Sequence, residues 1–229
     1  MRSRGVLDSL AMNTRIIAVC FLICAASLCC QQPAAAPAPP PAQAHANDLG
    51  FTYSLPSDWE VTENNPSPAD LKEKWAKAAT SEAEKRGINC IQTVMTAKHA
   101  APVSMVVVAA LPSECLGSPF SEKDLPGFGQ SASESLTQTF DVSDTVYGAY
   151  SLGVHGFWIE RSKAVLKGQP GVQYTVETVC TSIKKGAVCW MALAADDATL
   201  ATFEHGAVTL DGDAQPALVP LNAFENKPA

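Results

Sequence analysis

Histidine is the side chain most often used for acid–base chemistry and for metal binding, and its spacing in this chain of 229 residues indicates neither. The four histidines are His45, His99, His155 and His205. No H-x-H or H-E-x-x-H spacing places two of them on one strand or helix face, so the sequence predicts no zinc site of that kind.

Serine nucleophiles need a histidine base within hydrogen-bond reach. The polar segment that contains Ser131, Ser133 and Ser135 offers such hydroxyls, and His155 and His205 are the candidate bases. The chain has no G-x-S-x-G elbow, no G-x-G-x-x-G loop and no Walker loop. An exported hydrolase with an unmarked active site is therefore an alternative interpretation, and the sequence assigns no catalytic residue and no cofactor.

Two acidic pairs resemble parts of metal sites but have simpler explanations. Asp196 and Asp197 precede a short apolar segment, which predicts a helix cap whose carboxylates interact with the positive end of the helix dipole. Asp211 and Asp213 flank a glycine and offer two carboxylates to calcium, which takes about six to eight oxygen ligands. A turn accounts for the second pair, and no metal ligand is assigned.

An aromatic pair follows a glycine in the segment V-H-G-F-W-I, residues 154–159. Phe157 and Trp158 are candidates to line a binding groove, because aromatic side chains supply large apolar contact surfaces. The favoured interpretation is that they are strand residues that enter the core. The same interpretation applies to Trp59, Trp75 and Trp190.

Four cysteines lie outside the N-terminal 30 residues: Cys90, Cys115, Cys180 and Cys189. An even number in an exported domain predicts two disulfides, with three pairings open. The run 174–183, then Lys184-Lys185, then 186–195 predicts two strands and a two-residue turn, which places Cys180 directly opposite Cys189. Cys90–Cys115 follows by elimination. A zinc site is the rival interpretation, but the domain has no C-x-x-C.

The N-terminus is typical of an export signal. Residues 16–30 form an uncharged apolar run after Arg15, shorter than the roughly 20 residues of a membrane-spanning helix. Cys29 and Cys30 end this run and are candidates for lipidation, as in a bacterial lipoprotein. Two alternatives stay open, namely cleavage after Ala46 and an uncleaved anchor helix. Residues 31–46 are rich in proline and alanine and predict a disordered tether.

The charge of the chain excludes one class of partner. The formal net charge is −7, and residues 47–229 hold 13 Lys and Arg against 22 Asp and Glu, a net charge of −9. Such a surface repels phosphate backbones and anionic membranes. We expect no nucleic-acid partner, and membrane contact only through the N-terminal anchor or lipid.

The elements expected over 47–229 form a single α+β domain with one mostly antiparallel sheet and helices packed on it. A capped helix is predicted over residues 68–86, and an irregular segment over 112–130. A short helix is predicted over 131–140. Two short strands separated by a Pro-Ser-Asp turn are predicted over 51–63. Further strands are predicted over 88–98, 103–111, 145–152, 157–166, 172–183 and 187–195, with a last one over 208–210.

The opening F-T-Y-S-L-P-S-D-W, residues 51–59, followed by a helix, resembles the start of the PsbP-like α/β/α sandwich. The long hairpin over 172–195, the aspartate-capped helix and the final V-T-L are similar to the end of that fold. The resemblance implies the fold and no activity, because members share no catalytic residues. Several members bind other proteins. We therefore expect an exported accessory or protein-binding module whose candidate partners are envelope proteins. A carrier of a small apolar ligand is a further alternative.

Overall fold

A computed structural model describes residues 42–63, 73, 77, 85, 88–116, 120–169 and 171–226 of the chain. The predicted signal, the tether as far as residue 41 and Trp75 lie outside these residues. Most of the helix predicted over 68–86 also lies outside them, and its described residues 73, 77 and 85 are helical. None of the helices described is long and apolar enough to cross a membrane.

The strands and helices are bounded as follows. The strands are β1 (Ala42–Ala46), β2 (Phe51–Pro56), β3 (Glu60–Glu63), β4 (Gln92–His99), β5 (Ser104–Pro112), β6 (Phe140–Leu152), β7 (His155–Leu166), β8 (Gln173–Ile183), β9 (Gly186–Ala194), β10 (Val208–Leu210) and β11 (Asp213–Gln215). The helices are α1 (Ser113–Leu116), α2 (Leu125–Glu134) and α3 (Asp197–Glu204), with 3-10 turns at Glu122–Asp124 and Ser135–Gln138.

The α+β class is confirmed, but the prediction of one sheet is wrong. The described strands form a seven-stranded sheet in the order β3-β4-β5-β9-β8-β7-β6 and a four-stranded sheet in the order β1-β2-β10-β11. Every neighbouring pair in both sheets is antiparallel. The second sheet forms because β10 pairs with β2, Val208 opposite Tyr53 and Leu210 opposite Phe51, so that both strands bury alternate side chains.

The boundary of the tether also differs from the prediction. Residues 42–46, which the sequence analysis placed in the tether, form β1 and pair with β2 in the register His45 opposite Tyr53. The tether was predicted because proline lacks a backbone donor. The segment A-Q-A-H-A has no proline, so its amide groups are free to pair with a neighbouring strand.

The main core lies between the two sheets and is closed by α3. Trp190, Tyr53 and Phe203 are among the largest fully buried side chains. The Tyr53 ring lies 6.3 Å from Trp190 and 6.2 Å from Phe203, centroid to centroid, and its hydroxyl donates a hydrogen bond to the Phe203 carbonyl. This bond ties the smaller sheet to α3 and satisfies a hydroxyl that has no access to water.

The hairpin of β8 and β9 has the predicted register. Ile183 lies opposite Gly186 across the two-residue loop, and Cys180 lies opposite Cys189. The two sulfurs are bonded, with the Cα atoms 4.1 Å apart. Cys90 is bonded to Cys115, with the Cα atoms 5.8 Å apart. Disulfides indicate that the protein matures in an oxidising compartment.

The second face of the large sheet is covered by α2. Leu125 of this helix packs on Trp158, Cys180 and Cys189 in a separate apolar cluster. The segment was predicted to be irregular up to residue 130, with a helix only afterwards, but the helix begins at Leu125. The 3-10 turn that precedes this helix, Glu122–Asp124, begins at a capping box, in which the Ser121 backbone and hydroxyl both donate to the Asp124 carboxylate, at 2.9 and 2.8 Å.

Two glycines of α2 provide a matched test of this packing. A Cβ atom on Gly129 would lie 2.0 Å from the Trp158 ring, whereas one on Gly127 would meet nothing within 4 Å. We expect Gly129→Ala to destabilise the domain by about 1–3 kcal/mol, the usual cost of overpacking. Gly127→Ala should stabilise it by roughly 0.5–1 kcal/mol through helix propensity. Urea unfolding of both variants measures the difference, and equal effects would contradict this packing.

Candidate functional site

The histidines are dispersed over the domain. His45 Nδ1 lies 2.9 Å from Glu63 Oε1. The His99 ring stacks on Trp59 at 5.3 Å, and its Nε2 lies 3.5 Å from Asp58 Oδ2. Among the residues described, no group of three or more His, Cys, Asp or Glu is arranged to hold a metal ion.

The two candidate serines whose side chains are described form hydrogen bonds with groups other than the histidines. His155 Nδ1 lies 3.2 Å from the Ser182 carbonyl, and His205 follows the last turn of α3. Ser131 donates to the Gly127 carbonyl at 2.9 Å, and Ser133 shares a hydrogen bond of 3.2 Å with Thr178. The side chain of Ser135 lies outside what the structure describes. The hydroxyls of the two described serines are thus used within the fold.

The acidic pairs serve as a cap and a turn. Asp196 Oδ1 accepts a hydrogen bond of 2.8 Å from the Thr199 amide, which lowers the pKa of this carboxyl and confirms the predicted helix cap. Asp211 has a positive φ of 52° and accepts from the Lys184 amide at 2.9 Å. Asp213 accepts from the Gln215 side chain at 3.1 Å. These carboxylates are satisfied by protein donors.

An open groove of about 670 Å3 lies at the free edge of the seven-stranded sheet. Its floor consists of residues 149–151 of β6 and 156–158 of β7, the 3-10 turn and the start of α2 form one side, and Asn226 lies at the other. Glu122 is held against the floor, because its Oε1 accepts a hydrogen bond of 3.2 Å from the Gly156 amide. A Cβ atom on Gly156 would lie 2.8 Å from that carboxylate, so glycine permits the close approach.

The aromatic pair contributes to both the core and this groove. Phe157 is 3% exposed and stacks on Tyr150 at 4.9 Å, whereas Trp158 is 2% exposed and lies under α2 on the opposite face. Alternation along the strand sends the two rings to opposite sides of the sheet. The favoured interpretation of the sequence, that they enter the core, is confirmed. Both residues also border the groove, together with Leu125, although each of the three side chains is at most 3% exposed.

The edge strand presents main-chain groups to the groove. Ala149 lies opposite Trp158 in the pairing of β6 with β7, and its amide points away from β7, because it donates a hydrogen bond of 3.0 Å to the Asn226 carbonyl. In an antiparallel ladder every second residue has this orientation, so Tyr147 and Ser151 direct their backbone groups outward as well. The groove therefore lies beside outward-facing backbone groups of an edge strand, among which the Ala149 amide is bonded to Asn226.

The comparisons with known proteins find a likeness in general architecture. No family model matches the chain, and no curated protein is significantly similar to it. Among solved structures the chain resembles cyanobacterial PsbP (CyanoP) from Synechocystis sp. PCC 6803, with a TM-score of 0.42 and 9% identity over 76% of this chain and 90% of that chain. This likeness assigns neither a partner nor an activity.

A buried ionic cluster on the inner face of the large sheet was not predicted from the sequence. Glu177 of β8 is fully buried and lies opposite Arg161 of β7. Arg161 Nε donates to Glu177 Oε2 at 2.6 Å, and its Nη2 contacts both Glu177 and Glu204 of α3. Glu177 Oε1 has no hydrogen-bond partner in the structure. Only the register of β7 against β8 pairs these charges, and the intervening loop gives no sequence signal for that register.

The protonation of Glu177 is shifted by its surroundings. The pKa of Glu177 is raised from 4.5 to about 8, because the effect of burial, together with the charge of Glu204, outweighs the opposing effect of Arg161. The hydroxyls of Tyr53 and Tyr150 also face this group, and burial followed by the charge of Glu177 raises the pKa of each. A proton held on Glu177 leaves the cluster with less buried negative charge.

This shift predicts a dependence of stability on pH. Below pH 4.5 Glu177 is protonated in the folded and unfolded states, and between 4.5 and about 8 only the folded state keeps the proton. The contribution of Glu177 to the free energy of unfolding therefore falls as pH rises through this window. Glu177→Gln should show a smaller fall between about pH 5 and about pH 9 by urea unfolding. Glu60→Gln, at an exposed position, is the control, and an unchanged profile in Glu177→Gln would refute the assignment.

Proposed function

We propose that the chain is an exported accessory module, tethered to the cell envelope, that binds another protein through the groove at the edge of β6. The observation that carries the proposal is the groove itself, which is open to solvent and lined by Leu125, Phe157 and Trp158 beside outward backbone groups of β6. An exposed strand edge accepts an extended segment of a partner through main-chain hydrogen bonds, and adjacent pockets receive its side chains.

Export is supported by the disulfides and by the apolar run at residues 16–30. Attachment through lipid at Cys29 or Cys30 leaves the whole described domain intact. Cleavage after Ala46 would remove β1, whose five residues pair with β2. We therefore favour lipidation, with residues 31–41 as the tether between lipid and domain.

A carrier of a small apolar ligand is the second candidate function. It is favoured by the volume of the groove, which lies within the range of roughly 300–1,000 Å3 typical of ligand pockets. The aromatic rings would contact such a ligand, and Lys123 at the rim would meet a polar end. The open shape and the outward amides favour a peptide over a ligand that must be enclosed.

Site-specific cross-linking in intact cells tests the proposal. A photo-cross-linking amino acid replaces Lys123 at the groove rim, and Ser151→Trp fills the groove from the exposed strand edge. Ser143→Trp, on an exposed part of the same strand outside the groove, is the matched control. We expect one reproducible envelope-protein adduct, retained in the Ser143→Trp variant and lost in the Ser151→Trp variant.

Two outcomes would contradict the proposal. Adducts that do not respond to Ser151→Trp would show that the groove is not the binding surface. A small apolar molecule that copurifies with the wild type and is lost from Ser151→Trp, detected by native mass spectrometry without any protein adduct, would instead establish the carrier function.

A further inference from the structure

We propose that residues 220–226, here called the C-terminal latch, occupy the recognition edge of β6 and must be displaced when a partner strand binds. The inference rests on the proposed function and adds its regulation. The backbone group that an incoming strand requires, the Ala149 amide, is already bonded to the Asn226 carbonyl of the latch. The free protein thus contains an internal competitor for its own binding site.

The latch lies directly against the backbone of β6. A Cβ atom on Gly148 would lie 2.2 Å from the Ala223 carbonyl oxygen and 3.0 Å from the Phe224 Cα. A glycine is therefore required at this point of β6 for the latch to reach the edge. Ala223 is buried and belongs to the main core cluster, so this part of the latch is packed into the fold.

The Phe224 ring of the latch stacks on an arginine of β7. The guanidinium carbon of Arg161 lies 4.5 Å from the centre of the Phe224 ring. Arg161 is itself fixed by Glu177 and Glu204, so the ring stacks on a cation whose position is determined by the core. A cation over an aromatic face attracts it, and the attraction is stronger when the pair is partly desolvated.

The near end of the latch is anchored differently from the far end. Leu218 and Val219 are buried, the Tyr150 hydroxyl donates to the Leu218 carbonyl at 2.7 Å, and the Val219 amide donates to the Glu204 carbonyl at 3.0 Å. Beyond Ala223, Phe224 packs against the main core and on Arg161, the Glu225 amide donates to the Asn222 carbonyl, and the Asn226 carbonyl accepts from Ala149. Segments with few buried contacts open locally at free energies below that of global unfolding.

Displacement exposes what a partner needs. Release of Phe224 and Asn226 frees the Ala149 amide and widens the groove on the side that Asn226 occupies. The apparent affinity for a partner is then the intrinsic affinity reduced by the fraction of molecules in which the latch is open. A variant that weakens the latch should therefore bind an extended peptide more tightly than the wild type.

Amide hydrogen exchange of the full chain, followed by NMR at Ala149, tests the latch. Phe224→Ala removes the ring that Arg161 holds, and Gly148→Ala pushes the latch off β6 from the opposite side. Each should accelerate exchange of the Ala149 amide by about tenfold or more. Leu221→Ala is the control within the latch, because Leu221 is fully exposed, and it should leave the exchange unchanged.

Peptide binding provides the second measurement. The probe is the hexapeptide L-N-A-F-E-N, the sequence of residues 221–226, added to the full-length proteins. It should bind Phe224→Ala about tenfold more tightly than the wild type, in proportion to the open fraction. Faster exchange without tighter binding would overturn the latch as a competitor and leave it a brace of the fold.

The proposal of the latch and the proposed function can be refuted independently of each other. Unchanged exchange at Ala149 in both Phe224→Ala and Gly148→Ala would overturn the latch, whatever cross-linking at Lys123 shows. Absence of any groove-dependent adduct, in the wild type and in Phe224→Ala alike, would overturn the protein partner, while the exchange and peptide measurements still decide whether the latch exists.

Discussion

The two-residue loop between β8 and β9 sets the arrangement on which both faces of the large sheet depend. With Ile183 opposite Gly186, Cys180 meets Cys189 on the face that α2 covers, and Glu177 points to the other face. Side chains alternate along a strand, so a slip of one residue would exchange the two sets. The disulfide fixes this register covalently. The apolar cluster under α2 and the ionic cluster in the main core are two consequences of one turn.

The ionic cluster in turn links the core to the edge of the sheet. A fully buried glutamate requires compensation, which Arg161 supplies from the neighbouring strand. Arg161 also contacts Glu204 and Phe224, and through them it connects the large sheet to α3 and to the C-terminal latch. Arg161, which pairs with a buried glutamate, thus also contacts the segment that covers the proposed binding edge.

Features whose contacting residues are close in the sequence were predicted correctly, whereas features that join residues far apart in the sequence were missed. The β8–β9 hairpin and the Asp196 cap depend on residues within a few positions of each other, and both are found as expected. In the second sheet β10 pairs with β2, which lies more than 150 residues away in the sequence. No local pattern specifies that pairing. The start of α2 was missed because Pro126 and the glycines of this segment are typical of irregular structure. Gly129 nevertheless allows the helix to pack closely on Trp158. The groove joins such distant segments, so composition alone predicts none of its geometry.

An edge strand that binds partners poses a problem for the free protein, because its unpaired backbone groups also pair with other chains and promote aggregation. Part of β6 is protected locally, by the irregular pairing between Ser143 and Val146 and by the charged Asp141 and Asp144. The groove cannot carry such devices without losing its capacity to bind. A segment of the same chain, bonded to Ala149 and removable at one end, protects the edge while leaving it available. Under the proposed function, the C-terminal segment lies where it would cover the recognition edge in the absence of a partner.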